Sequence, residues 1–182
     1  GSPSGGLWKT TNEGDDWVVL TDDLPVLGVS AIAIHPTNTD IIYIGTGDKD
    51  ASDNYSIGVL KSFDGGVNWE VTGLEWTEGQ NRTIAKLIIH PENPDILFAA
   101  TTVGLYKTVD GGENWYSVKS GDIDDIEFKP GDPNTVYAVT QSFFRSTDGG
   151  ENFVQTTGVP TSSRVQIAVT DANPDYVYFF SY

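Results

Sequence analysis

The chain has 182 residues, no cysteine, and 26 acidic against 10 basic residues, for a formal charge of −16 at neutral pH. The missing cysteine excludes disulfides, thiolate nucleophiles and Cys-ligated zinc, and the acidity argues against nucleic acid and anionic membrane surfaces as partners. No apolar run approaches the roughly 20 residues that span a bilayer, so no membrane insertion is expected.

In chain order, the first 22 residues read as a hairpin, LWKT and WVVL flanking the turn in KTTNEGDDW (9–17). Residues 23–73 read as four strands, a to d. AIAI is strand a, HPTNTD turns into IIYIG as strand b, GVLKS is strand c, and KSFDGGVNW (61–69) turns into strand d. Residues 74–119 repeat the layout with KLIIHPENPDILFAATT (86–102) and KTVDGGENW (107–115). Residues 120–158 repeat it again with DIEFKPGDPNTVYAVTQ (125–141) and RSTDGGENF (145–153). Residues 159–182 start a further copy, VQIAVTDANPDYVYFFS (165–181), with strands a and b only.

The four turns share a pattern: basic residue, Ser/Thr, any, Asp/Asn, any, Gly, two of any kind, aromatic. The matching positions are Thr10, Asn12, Gly14, Trp17; Ser62, Asp64, Gly66, Trp69; Thr108, Asp110, Gly112, Trp115; and Ser146, Asp148, Gly150, Phe153. The turn glycines are spaced by 52, 46 and 38 residues. Four-stranded units of about 40–50 residues with no helical period predict an all-β propeller of antiparallel blades. In such a turn the Asp carboxylate accepts backbone N–H bonds, glycine takes the positive φ and the aromatic ring packs beneath, so the motif is read as scaffold. His35 and His90 align with Lys129 and Thr170 at the close of strand a and are not expected to be a metal pair. Trp8, Leu60, Tyr106 and Phe144 share one strand-c position and are expected to pack between blades.

On these residues the chain resembles the Asp-box, or bacterial neuraminidase repeat, propellers. These include sialidases, xyloglucanase-type glycoside hydrolases and sortilin-type propellers, among them those of large secreted, Bacteroidota-like bacterial proteins. The resemblance implies a secreted or cell-surface protein. It also implies six or more blades, so the chain is expected to be part of a larger propeller, with a closed four-bladed ring as the alternative. In the resembling enzymes the substrate cleft lies on the face of the b–c and d–a loops, opposite the Asp-boxes. Such propellers serve enzymes, receptors and assembly factors alike, so function has to be argued from the site.

Two loops on that face exceed what the repeat needs, GDKDASDNYSIG (47–58) and GLEWTEGQNRTIAK (73–86). Asp48, Asp50, Asp53 and Asn54 supply closely spaced oxygens suited to Ca2+, although not in the EF-hand pattern; no other cofactor is implied. Tyr55, Glu75, Trp76, Glu78 and Arg82 are the ligand-binding candidates, with the aromatic rings as sugar platforms. A sialidase would need an arginine triad, and of Arg82, Arg145 and Arg164 the second already occupies the basic position of a turn. The expected function is a non-catalytic module that binds a glycan or protein. The alternative is part of a xyloglucanase-type hydrolase, which needs two carboxylates across a cleft.

Overall fold

The computed structural model describes residues 1–2, 4–49, 55–159 and 164–181. Asp50, Asp53 and Asn54 lie outside the described residues.

A two-stranded pair, β1 (Trp8–Lys9) and β2 (Val18–Val19), comes first. Three four-stranded sheets follow, each antiparallel and in chain order. They are β3 (Val29–Ile34), β4 (Ile42–Thr46), β5 (Gly58–Ser62) and β6 (Glu70–Glu75); β7 (Ile84–Ile89), β8 (Leu97–Thr101), β9 (Gly104–Thr108) and β10 (Tyr116–Ser120); and β11 (Asp125–Lys129), β12 (Asp132–Val139), β13 (Phe143–Ser146) and β14 (Val154–Gln155). A pair, β15 (Val165–Val169) and β16 (Val177–Ser181), closes the described chain. The first strands β3, β7, β11 and β15 touch in succession, which makes them the inner strands of consecutive propeller blades. Strand composition follows position. β4 and β8 are buried at every residue, because a sheet stacks on each face, and they read as nearly continuous apolar runs. β3 alternates buried and exposed.

Each gap between neighbouring sheets holds one apolar cluster. Leu7, Val29, Ile44 and Leu60 fill the first, and Ala31, Tyr43, Leu87 and Leu97 the second. Phe98, Leu105, Ile126 and Val136 fill the third, and Tyr137, Val139, Val165 and Ile167 the fourth. The second glycine of each turn makes this stacking possible. A Cβ on Gly150, at φ +82°, would lie 2.4 Å from the Phe98 ring of the sheet before it, and one on Gly66 would lie 2.7 Å from Leu20.

Two expectations about aromatic residues are corrected. Trp69, Trp115 and Phe153 are partly buried as turn aromatics, but Trp17 is 55% exposed. Trp8 is 46% exposed, whereas its counterpart Leu60 is fully buried. The physical reason is the same for both: among the described residues, β1 and β2 have no inner strands of their own beside them. His35 and His90 close strand a as turn caps, each Nδ1 accepting two backbone N–H bonds, from Thr37 and Asn38 and from Glu92 and Asn93.

Candidate functional site

The DGG turns use up their polar groups internally. The Ser62 hydroxyl donates to Asp64 Oδ1 (2.9 Å) and accepts from the Gly66 N–H (2.8 Å). The Asp64 carboxylate accepts the backbone N–H (2.8 Å) and side-chain amide (2.7 Å) of Asn68. Thr108, Asp110 and Asn114 repeat this arrangement, as do Ser146, Asp148 and Asn152. In the first turn the two side chains trade places, Asn12 donating its amide to Asp16 (3.0 Å). Hydrogen bonds from Asn68 and Asn114, then from Ser62 and Thr108, bring the Asp64 and Asp110 carboxyls down to about 2. The Ser146 hydroxyl, followed by Asn152, pulls Asp148 lower still. Carboxylates held this way are poor proton donors near neutrality, and the turns are structural.

The basic residue of each turn reaches the next blade. Lys9 Nζ donates to the Gly65 carbonyl (3.1 Å), Lys61 Nζ to that of Gly111 (2.9 Å) and Lys107 Nζ to that of Gly149 (2.9 Å). The same glycines donate their N–H to the a–b turn of their own blade, at Asp40 O (2.9 Å), Asp95 O (2.9 Å) and Asn134 O (2.8 Å). The a–b and c–d turns therefore share a face.

The opposite face holds a polar cleft of about 360 Å3 at the mouth of the propeller axis. Its walls come from the b–c loop, as Asp48 and Lys49, and from the starts of the inner strands, as Ser30, Ala85, Asp124, Arg164 and Gln166. β3 and β7 carry a bulge at the same place, at Ser30 and Ala85, and the irregularity re-aims these residues. The Ser30 hydroxyl donates to Ile84 O (2.6 Å), tying one inner strand to the next. Lys49 crosses to the loop before β11, where it pairs with Asp124, with Asp122 (2.8 Å) and with Ile123 O (3.0 Å). Below it, Lys86 on β7 bridges Asp125 (2.7 Å) and Glu127 (2.6 Å) on β11, and Asp125 accepts the Ile167 N–H (2.9 Å) from β15. Burial draws the Lys86 pKa down, but bonds and charge from Asp125 and Glu127 outweigh it and leave it raised. The inner strands are thus joined by polar cross-links running from blade to blade.

The cleft gathers only part of what the loops suggest. Asp48 lines it; Tyr55, Glu75, Glu78 and Arg82 do not. Tyr55 is exposed, and Glu75 pairs with Gly58 across the β5–β6 edge. Glu78 belongs to a short 3-10 turn, Glu78–Gln80. Trp76 is a correction. It is only 7% exposed, packs with Ala31, Tyr43 and Leu74, and donates its indole N–H to Ser56 Oγ (3.0 Å), so it presents no ring face to a sugar. Among the described residues no group of three acids or histidines is arranged for a metal ion. Lys49, Asp124, Arg164 and Gln166 could not be singled out from sequence, because the axis brings them together from blades far apart in the chain. Their one detectable signal is departure from the repeat, as with the basic residue inserted in GDKD.

No family model matches the chain. It is 28% identical over 210 aligned residues to a xyloglucanase from a Paenibacillus species, which covers 93% of this chain and 20% of the relative. It is 30% identical over 129 residues to a xyloglucanase from Hypocrea jecorina, covering 64% of this chain and 15% of the relative. The chain therefore spans about a fifth or less of the length of these relatives. An ancestral GH74 enzyme superposes with a TM-score of 0.77 at 22% identity, over 96% of this chain and 26% of the other. An auxiliary nutrient binding protein from Bacteroides thetaiotaomicron shares the fold at a TM-score of 0.60 and 12% identity, over 85% and 36%. The expectation of a non-catalytic module finds no support in the sequence relatives, which are named as hydrolases. By fold, the chain is a stretch of β-propeller of the kind seen in GH74 xyloglucanases.

Proposed function

We propose that the chain forms part of a propeller glycoside hydrolase of the xyloglucanase type, acting outside the cell, and that its axial cleft binds a glycan chain. The observation that carries this reading is the convergence of Asp48, Lys49, Asp124, Arg164 and Gln166 on one cleft, on the face away from the DGG turns. Hydroxyl-rich ligands are held by such mixed donors and acceptors in a concave site. Glycoside hydrolysis needs two carboxyl groups on either side of the scissile bond. Asp124 is taken up by Lys49, so Asp48 is assigned as one of the two, and the second belongs to parts of the protein outside these blades. The DGG turns are assigned as Asp-boxes. The blades divide at about residues 22, 73, 119 and 158, and further blades complete the ring.

The test is hydrolysis of xyloglucan by the full-length protein that carries this region, with release of reducing ends as readout. Activity that disappears in Asp48→Asn while polysaccharide retardation in native gels persists supports the assignment. Retardation without hydrolysis in the parent protein would return the reading to a binding module. Neither binding nor hydrolysis would sink it.

A further inference from the structure

The blade-to-blade joint described above recurs three times and stands open at a fourth place. Arg145 occupies the position of Lys9, Lys61 and Lys107, and its guanidinium makes no hydrogen bond among the described residues. Beside it is Asp175, the counterpart of Asp40, Asp95 and Asn134, close enough for Arg145 to act on its charge. β16 stands at the edge of a two-stranded sheet, and Tyr176 and Tyr178 are more than half exposed there. What this corner lacks is a c–d hairpin whose turn offers a peptide N–H to the Asp175 carbonyl and a carbonyl to Arg145.

The other end of the chain is such a hairpin. Residues 7–20 form the c–d pair β1–β2 without inner strands. At the turn, Glu13 holds φ +61°, the conformation that Gly65, Gly111 and Gly149 take at +71°, +67° and +71°. A non-glycine residue rarely adopts that region, so the turn is shaped as the three locked turns are. The Glu13 peptide makes no hydrogen bond among the described residues. Asp15 stands where Glu151 stands in the third joint, and Glu151 pairs with Lys107 there. Beside β1 runs an apolar groove lined by Trp8, Leu20, Ile32, Ile34 and Ile42, where an inner a–b hairpin is missing. Trp8, Ile32 and Ile34 are among its exposed residues.

We propose that the 182-residue chain associates head to tail with a second copy of itself, the 7–20 hairpin of one copy completing the β15–β16 blade of the other. Arg145 then donates to the Glu13 carbonyl and pairs with Asp15, the Glu13 N–H donates to Asp175 O, and β15–β16 lies in the groove beside β1. The b–c register of the other blades, Ile44 opposite Leu60 and Ala138 opposite Phe144, sets Phe179 opposite Trp8. The contact uses two different surfaces, so two copies form a ring if the rotation closes and longer assemblies if it does not. The inference is independent of the hydrolase reading.

Sedimentation over a range of concentrations tests it. The expected result is a concentration-dependent dimer or larger assembly. Arg145→Ala should weaken association about tenfold or more, Arg145→Lys should largely restore it, and high salt should weaken it, as for a charged contact. The cysteine-free chain permits a second readout: Trp8→Cys combined with Phe179→Cys should oxidise to a disulfide-linked multimer. A chain that stays monomeric at every concentration, with the engineered thiols unlinked, would overturn the proposal. A disulfide formed within one chain would overturn it too, because it would show closure without a second copy.

Discussion

The two faces of the propeller spend their polar groups differently. On the DGG face, four turns repeat one local solution, and each hydroxyl, carboxylate and amide is satisfied within about five residues. On the axial face, side chains reach across blades, with Lys49 bonding residues more than 70 positions away and Lys86 bridging about 40. Repetition marks scaffold because it answers a need that each blade has. Departure from repetition marks the cleft because it answers a need that the whole ring has.

Variants sharpen the contrast. Trp76→Ala is expected to cost about 3–5 kcal/mol, the range for removing a buried Trp, in denaturant unfolding. Tyr55→Ala, at an exposed position, should stay within about 0.5 kcal/mol. If Trp76→Ala left stability intact, the ring would not be the core element described here.

Gly150→Ala should cost roughly 3 kcal/mol, combining a positive φ with a clash against Phe98. Gly131→Ala, also at positive φ but with open space around it, should cost nearer 1 kcal/mol. Equal effects at the two sites would mean that close approach between blades is not what the turn glycine serves.

Tyr43→Phe removes the hydroxyl that donates to Gly111 O (2.9 Å) and should cost about 1 kcal/mol near neutrality. Burial, helped by Asp95, raises the Tyr43 hydroxyl to about 12. The folded value exceeds the ordinary value of 10, so this contribution is whole below pH 10 and is lost as pH rises through about 12. The parent protein should lose stability across that interval more steeply than Tyr43→Phe.

The acid side has the opposite sign. Asp64 and Asp110 sit at about 2 when folded, below the ordinary carboxyl value, so their contribution is present above about pH 4 and is lost as pH falls towards 2. Replacing both with Asn should flatten the melting temperature between those limits. The smallest effect belongs to the axial cleft, where Asp48→Asn should change stability by less than about 0.5 kcal/mol.

The fold was legible because its instructions are local and repeated. A Ser/Thr, an Asp and a glycine at set intervals close a hairpin whatever surrounds them, and the alternating strands between them can only stack. The Asn12–Asp16 exchange shows the same logic, since donor and acceptor can swap sides and keep their bond. Trp76 was misread because a lone Trp in a long loop looks like a platform until Ser56 and the Ala31 strand are seen to enclose it. The Lys9, Lys61 and Lys107 joints were missed because a basic residue before a turn says nothing about which blade it will reach.

What the sequence determined by itself was the class of fold, the four-strand unit and the scaffold role of its turns, since each rests on contacts between residues near in the chain. What only the tertiary structure decided was the composition of the axial cleft and of the joints between blades. There the partners lie 40 to 75 positions apart, and stacking around an axis, rather than any motif, brings their charges and carbonyls together.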